Sequence, residues 1–175
     1  ALEAEGMAVT VVHKETPGGS EAVFTDEGLA PFDAILVFQA NGDPWNASEK
    51  AALERWQAAG NGIAAVHNAL DMRGNYPWWD NMVGSLMPGH APTGTDPGPS
   101  GVVRNEDTTH PSTKHFTGTE DVTRWTRNDE WYNFSNNVRG TAHILQTMDE
   151  STYSGGNMGY DHPIRSEEHT SELQS

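Results

Sequence analysis

The stretch from Phe32 to His67, FDAILVFQANGDPWNASEKAALERWQAAGNGIAAVH, carries the reading of the fold. After Asp33, the run Ala34 to Phe38 is continuously apolar, the pattern of a strand buried on both faces. Ala47 to Ala59 is the clearest helix in the chain. Asn46 can cap it, and Glu49 three residues on completes a capping box. Ala51, Leu53, Trp56 and Ala59 share its apolar face, and Gly60 with Gly62 ends it. IAAVH, Ile63 to His67, then reads as a second buried strand. Strand, helix, strand with short loops implies a parallel pair joined by a right-handed crossover. That is the unit of a doubly wound α/β sheet.

Upstream, Ala1 to Glu5 has helical propensity and stops at Gly6, while Met7 to His13, MAVTVVH, is β-branched and reads as a strand. ETPGGSE is a loop and DEGLAPF a connector. Downstream, YPWWDNMVGSLM predicts a short helix starting near Pro77. PGHAPTGTDPGPSG is loop, and VVRNED, EWYNF and HILQTMD are predicted strands, separated by THPSTKHF and NNVRGTA. No internal repeat is evident.

The chain of 175 residues fits one domain with a real core. Its formal charge of -15, from 25 acidic and 10 basic residues, argues against nucleic acid, which needs a Lys/Arg patch. The acids are scattered, as on a solvated exterior. No apolar run is long enough for a membrane span. There is no cysteine, so disulfides, Cys-ligated zinc and a Cys nucleophile are excluded, and His, Asp and Glu must carry any metal or proton chemistry.

The last eleven residues, RSEEHTSELQS from Arg165 to Ser175, are polar and aperiodic. They match the in-frame translation of a common short-read sequencing adapter and are expected to be a non-native tail, of metagenomic assembly or cloning origin. His169 then leaves the candidate list, and the formal charge becomes -13 without the tail's three Glu and one Arg. The expected organisation is one domain over 1–164, incomplete at both ends. A compartment, bacterial cytoplasm or exported, is not legible from it.

Candidate chemistry lies in separated places. His67 ends a predicted strand, the position where open α/β sheets gather ligands, and Asp71 follows it. His90 lies in PGHAP, His110 and His115 in THPSTKHF, Glu130 in NDEWYNF, and Asp161 with His162 in YDHP. These side chains can move protons near neutral pH or ligate zinc. No local pair has a recognised ligand spacing, and an isolated histidine is more often structural. His110, in Thr-His-Pro, reads as turn chemistry. Trp78, Trp79, Trp131 and Tyr132 can stack on a sugar ring or fill a core, and aromatics at this density usually fill cores. No G-x-S-x-G elbow, Walker loop or dinucleotide fingerprint is present.

In order and spacing, FDAILVFQANGD, NASEKAALERWQAAGNGIAAVHNALD, YPWWDNMVG, GHAP, THPSTKHF, RNDEWYNFSNN, HILQTMDESTY and MGYDHPI resemble the ThuA-like, or trehalose-utilisation, family, over most of Ala22 to Ile164. The resemblance implies a flavodoxin-like, mainly parallel doubly wound sheet similar to class I glutamine amidotransferases, here without its first strand and C-terminal end. The family's strand-end histidine maps onto His67, the acid after it onto Asp71, the G-H-P histidine onto His90, the D-E-W-Y acid onto Glu130, and the D-H-P-I pair onto Asp161 and His162. Ala91 between His90 and Pro92, and Asn68 after His67, depart from the pattern. Cys-dependent amidotransfer is excluded.

What the resemblance implies is an enzyme of carbohydrate catabolism acting on trehalose, a related disaccharide or a keto-sugar. His67, Glu130 and Asp71 are its expected catalytic residues. Trp79, Trp131 and Tyr132 are expected to bind sugar, and His67, His90 and His162 to hold a divalent metal such as zinc. The alternative is a non-catalytic sugar-binding or accessory module beside a sugar oxidoreductase.

Overall fold

A computed structural model describes residues 2–14, 23–38, 42–71, 75–94, 98–114 and 123–168. They gather into two compact units, Ala1–Asn75 and Tyr76–Ser175. Among the described residues, no helix is long and apolar enough to cross a membrane. ETPGGSE, His115, His169 and most of the adapter-like tail lie outside the described residues.

The first unit holds α1 (Asp26–Leu29), β1 (Ala34–Phe38), α2 (Ala47–Ala58) and β2 (Gly62–Val66). β1 and β2 pair in parallel, from Ala34 opposite Gly62 to Phe38 opposite Val66. The expected strand–helix–strand unit is present. The capping box also forms. Asn46 Oδ1 accepts from the Ser48 and Glu49 amides at 3.0 Å, and Glu49 Oε2 accepts from the Asn46 amide at 2.8 Å. Each bond satisfies an N–H that a helix start leaves without an intrahelical acceptor. Asn46→Ala should therefore cost about 1 kcal/mol, read as a lower denaturant midpoint. An unchanged midpoint would mean that water replaces the cap at no cost.

Leu53 and Trp56 point inward as expected, but the buried face turns toward Ala52 and Glu49 instead of Ala51 and Ala59. Tertiary bonds set that rotation. Trp56 Nε1 donates to the Phe32 carbonyl at 3.2 Å, and Glu49 pairs with Lys14 at 2.7 Å. Arg55 grips Asp26 through two bonds of 3.0 and 2.9 Å, joining α2 to α1. The strands depart further. Val37 is buried, yet Leu36, Phe38 and Val66 are 56%, 58% and 41% exposed, so the sheet is not covered on both faces. Met7 to His13 forms no ladder, and Met7, Val9 and Val11 are exposed. Among the described residues, only β1 and β2 belong to this sheet.

The second unit begins with α3 (Pro77–Val83), which starts on Pro77 as expected and stops at Gly84 in the left-handed region. Then come β3 (Gly89–His90), β4 (Ser100–Asn105), β5 (Arg124–Asn128), β6 (Tyr132–Asn133), β7 (His143–Asp149) and β8 (His162–Glu167). β3 and β6 form a two-residue antiparallel ladder, and the larger sheet runs β5-β4-β7-β8, all antiparallel. The described structure is therefore mixed α/β, but its pairing is mostly antiparallel, unlike the mainly parallel sheet expected. A parallel neighbour needs a crossover of a dozen or more residues, normally a helix. Among the described residues after β2 there is one α-helix, of 7 residues, and the strands there pair antiparallel.

Ala91, Val103, Trp131 and Met148 make the buried core of this unit, with Trp125, Tyr153 and Ile164 packed against it. β8 does not stop at Ile164. Ser166 and Glu167 continue the ladder opposite Ile144 and His143, and Glu167 reaches His110 at 2.8 Å.

Candidate functional site

His67 follows β2 directly and opens a single 3-10 turn, His67–Leu70. Its φ is 58°, the one positive value on a non-glycine among the described residues. This is a sharp strand-to-helix turn of the kind that lifts a side chain off the end of a sheet. The left-handed region costs an L-residue roughly 1–2 kcal/mol, and such strain concentrates at functional positions. Nδ1 contacts Asn68 Oδ1, and the Asp71 amide closes the turn on the Asn68 carbonyl at 2.9 Å. The Asp71 carbonyl also takes the Gly42 amide at 2.8 Å, which ties the loops after β1 and β2 together.

Backbone strain here has a clean signature. Gly normally costs about 0.5–1 kcal/mol relative to Ala. At residue 67 the order should invert, with His67→Gly about 1 kcal/mol more stable than His67→Ala. Both variants lack the imidazole, so a thermal or denaturant comparison isolates the backbone. An Ala variant as stable as the Gly one would show that the turn is unstrained.

In the second unit the β3–β6 ladder sets His90 opposite Tyr132, and the Ala91 amide donates to the Trp131 carbonyl at 2.8 Å. This register brings GHAP and DEWYN side by side. His90 Nε2 lies 3.3 Å from Glu130 Oε1, with both side chains about one-third exposed (38% and 30%). His90 Nδ1 meets the Ala91 carbonyl at 2.8 Å. Since a carbonyl only accepts, the proton sits on Nδ1 in the neutral ring and Nε2 carries the lone pair; protonated, the ring binds both partners. Asp129 Oδ1 accepts from the Glu130 amide at 2.9 Å and holds this corner.

His162 lies in the same unit but in another setting. It is fully buried, with Nδ1 2.9 Å from Glu150 Oε1 and its ring edge-on to Phe134. Glu150 also accepts from the Met158 and Gly159 amides at 2.9 and 2.8 Å, so its carboxylate closes the loop leading into β8. Burial pushes the His162 pKa below its ordinary value, against the opposing pull of Glu150. The imidazole is thus held neutral, with Nδ1–H on the carboxylate. Tyr153 stands over the pair, and burial raises its hydroxyl pKa.

Trp79, Trp131 and Tyr132 are 0%, 5% and 7% exposed. Trp131 Nε1 donates to the Pro99 carbonyl at 2.9 Å, and its ring packs in the core and beside Tyr153. None of the three presents an open ring face, because the unit uses them as packing. His110 sits in a turn, as its Thr-His-Pro context implies, with Ser112 and Glu167 as partners. For a metal, His90 and Glu130 supply two donors, where a catalytic zinc takes three from the protein. Among the described residues, no group of three or more His, Asp or Glu is placed to hold one.

The family model for trehalose utilisation, ThuA, matches residues 1–172. The chain belongs to the ThuA family. No curated protein and no solved structure matches significantly.

Within this ThuA chain, the residue that sequence reasoning missed is Glu150. Its signal was present: Asp149–Glu150 is an acidic pair at the end of the predicted strand HILQTMD. Asp149 accepts from the Ser151 amide and binds Arg104, so it caps the turn that aims Glu150 at His162.

Proposed function

We propose that this ThuA-family chain is a sugar-active enzyme of carbohydrate catabolism, acting on trehalose, a related disaccharide or a keto derivative of one. His90 and Glu130 are its proton-transfer pair. The observation that carries the reading is the 3.3 Å contact between His90 Nε2, on β3, and Glu130 Oε1, in the segment leading into β6, with both side chains about one-third exposed. A carboxylate and an imidazole within reach of each other are the two side-chain types most used to take up and return protons in general acid–base catalysis. A keto-sugar suits such a pair, since its carbonyl acidifies the neighbouring C–H and a positioned base can remove that proton.

His67, with Asp71 behind it, is the second element of the proposal. Its strained turn after a parallel strand supports a flavodoxin-like sheet, with imidazole where the glutamine amidotransferases carry their thiol. A divalent metal would need one more ligand beside His90 and Glu130, so no step is assigned to one.

Turnover of trehalose and of a keto-disaccharide, followed by chromatography of the products, tests the reading. His90→Ala and Glu130→Gln should each lower turnover about 10²-fold, the low end for a lost acid–base group. Full activity in Glu130→Gln would remove the pair from the mechanism. Sugar binding without turnover in the parent chain would favour the accessory-module reading instead.

A further inference from the structure

Away from His90 and Glu130, the second unit carries an open groove of about 620 Å³, lined among others by Arg104, Arg124, Arg139, Glu106, Asp161 and Tyr160. Three of the chain's ten basic residues converge there, on a protein of net charge -15. The volume lies within the range of small-molecule sites. No part of the proposed proton-transfer pair lines it.

The donors and acceptors of this groove are fixed before any ligand arrives. Arg139 grips Glu106 through two bonds of 2.8 and 2.7 Å, and its Nε reaches both Asp161 oxygens at 2.9 Å. Asn137 donates to Asp161 at 2.9 Å. Arg104 binds Asp149, while Arg124 stands 3.9 Å from the same carboxylate, too far for a hydrogen bond. The bond from Arg139 lowers the pKa of both Glu106 and Asp161, so both stay acceptors at neutral pH. Guanidinium groups only donate and carboxylates only accept.

This alternation selects the ligand. An anion drawn by the guanidiniums would face Glu106 and Asp161, and a cation drawn by the carboxylates would face three arginines. A hydroxyl both donates and accepts, so a neutral polyol can bridge the two kinds of group. Tyr160 lines the groove and is 93% exposed, which leaves its ring open to the apolar C–H face of a pyranose. We infer that the Arg104–Arg139–Tyr160 groove is a binding site for a neutral sugar, separate from the proposed catalytic pair.

The test is calorimetric titration of the full chain with trehalose, with glucose, and with inorganic phosphate. Trehalose or glucose should bind and phosphate should not displace it. Tyr160→Ala should weaken sugar binding about tenfold with an unchanged melting temperature. Binding of phosphate alone, binding of neither sugar, or sugar binding indifferent to Tyr160→Ala would each overturn the inference. Loss of sugar binding in Glu130→Gln but not in Tyr160→Ala would place the sugar at the catalytic pair and not in this groove. A catalytically dead chain that still binds sugar through Tyr160 would leave this inference standing and remove the proposed function.

Discussion

Gly98→Ala is expected to destabilise the chain by about 4 kcal/mol, the sum of backbone strain and overpacking. Gly98 has φ of 101°, and a Cβ built on it would sit 2.3 Å from the Asp129 carbonyl oxygen. The obstacle is backbone, so no side-chain rotation relieves it. The gain from a stiffer unfolded chain, about 0.4–1 kcal/mol for Gly→Ala, is much smaller. Gly98 also accepts Asn128 Nδ2 at 3.0 Å, and its neighbour Pro99 accepts Trp131 Nε1. The segment carrying Asp129 and Glu130 is thus pinned against it, and pushing it away should break the 3.3 Å contact of Glu130 with His90. Thermal unfolding should drop on the order of 10 °C, and whatever activity the pair supports should fall with it. Gly140→Ala is the control, since a Cβ there meets nothing within 4 Å. Equal melting temperatures for the two variants would rule out the close approach at Gly98.

The second large effect is on His162. His162→Ala should cost about 3 kcal/mol, combining a lost bond to a charged group with the cavity left by a buried ring. Glu150 keeps its Met158 and Gly159 donors, which limits the damage. A double-mutant cycle with Glu150→Gln should show a coupling of about 1–2 kcal/mol. The pH dependence has a defined sign. The folded-state pKa of His162 lies below its unfolded value of about 6.5, so the unfolded chain takes up this proton first as pH falls. The contribution of His162 is complete above about pH 6.5 and is lost as pH drops toward the folded pKa. His162→Gln should flatten the denaturant midpoint against pH in that window. An identical slope in both proteins would show that His162 titrates alike folded and unfolded.

Local patterning was enough for the pieces. The Asn46–Glu49 cap, the helix it starts, the parallel pair around it, Pro77 at the head of α3 and the full extent of β7 were all legible. Each depends on contacts within a few residues or on a simple period. The family was legible as well, because its motifs are short, ordered and separated by tolerant loops.

Only the tertiary structure decided the rest. Whether an apolar run becomes a covered strand depends on a partner elsewhere, so MAVTVVH stays unpaired and Leu36 and Phe38 stay exposed. RWTRN, with two arginines in five residues, becomes strand β5 because β4 supplies an edge. Aromatic rings have no address in sequence: Trp79, Trp131 and Tyr132 went to the core, while Tyr160 stands open. Of the residues expected to do chemistry, the β3–β6 register brings His90 beside Glu130, and the Glu150 carboxylate, which was not among the expected site residues, claims His162. For His67 the sequence determined the place, at the end of a strand. The fold determined its strain, by turning the chain through φ of 58° where only glycine turns freely.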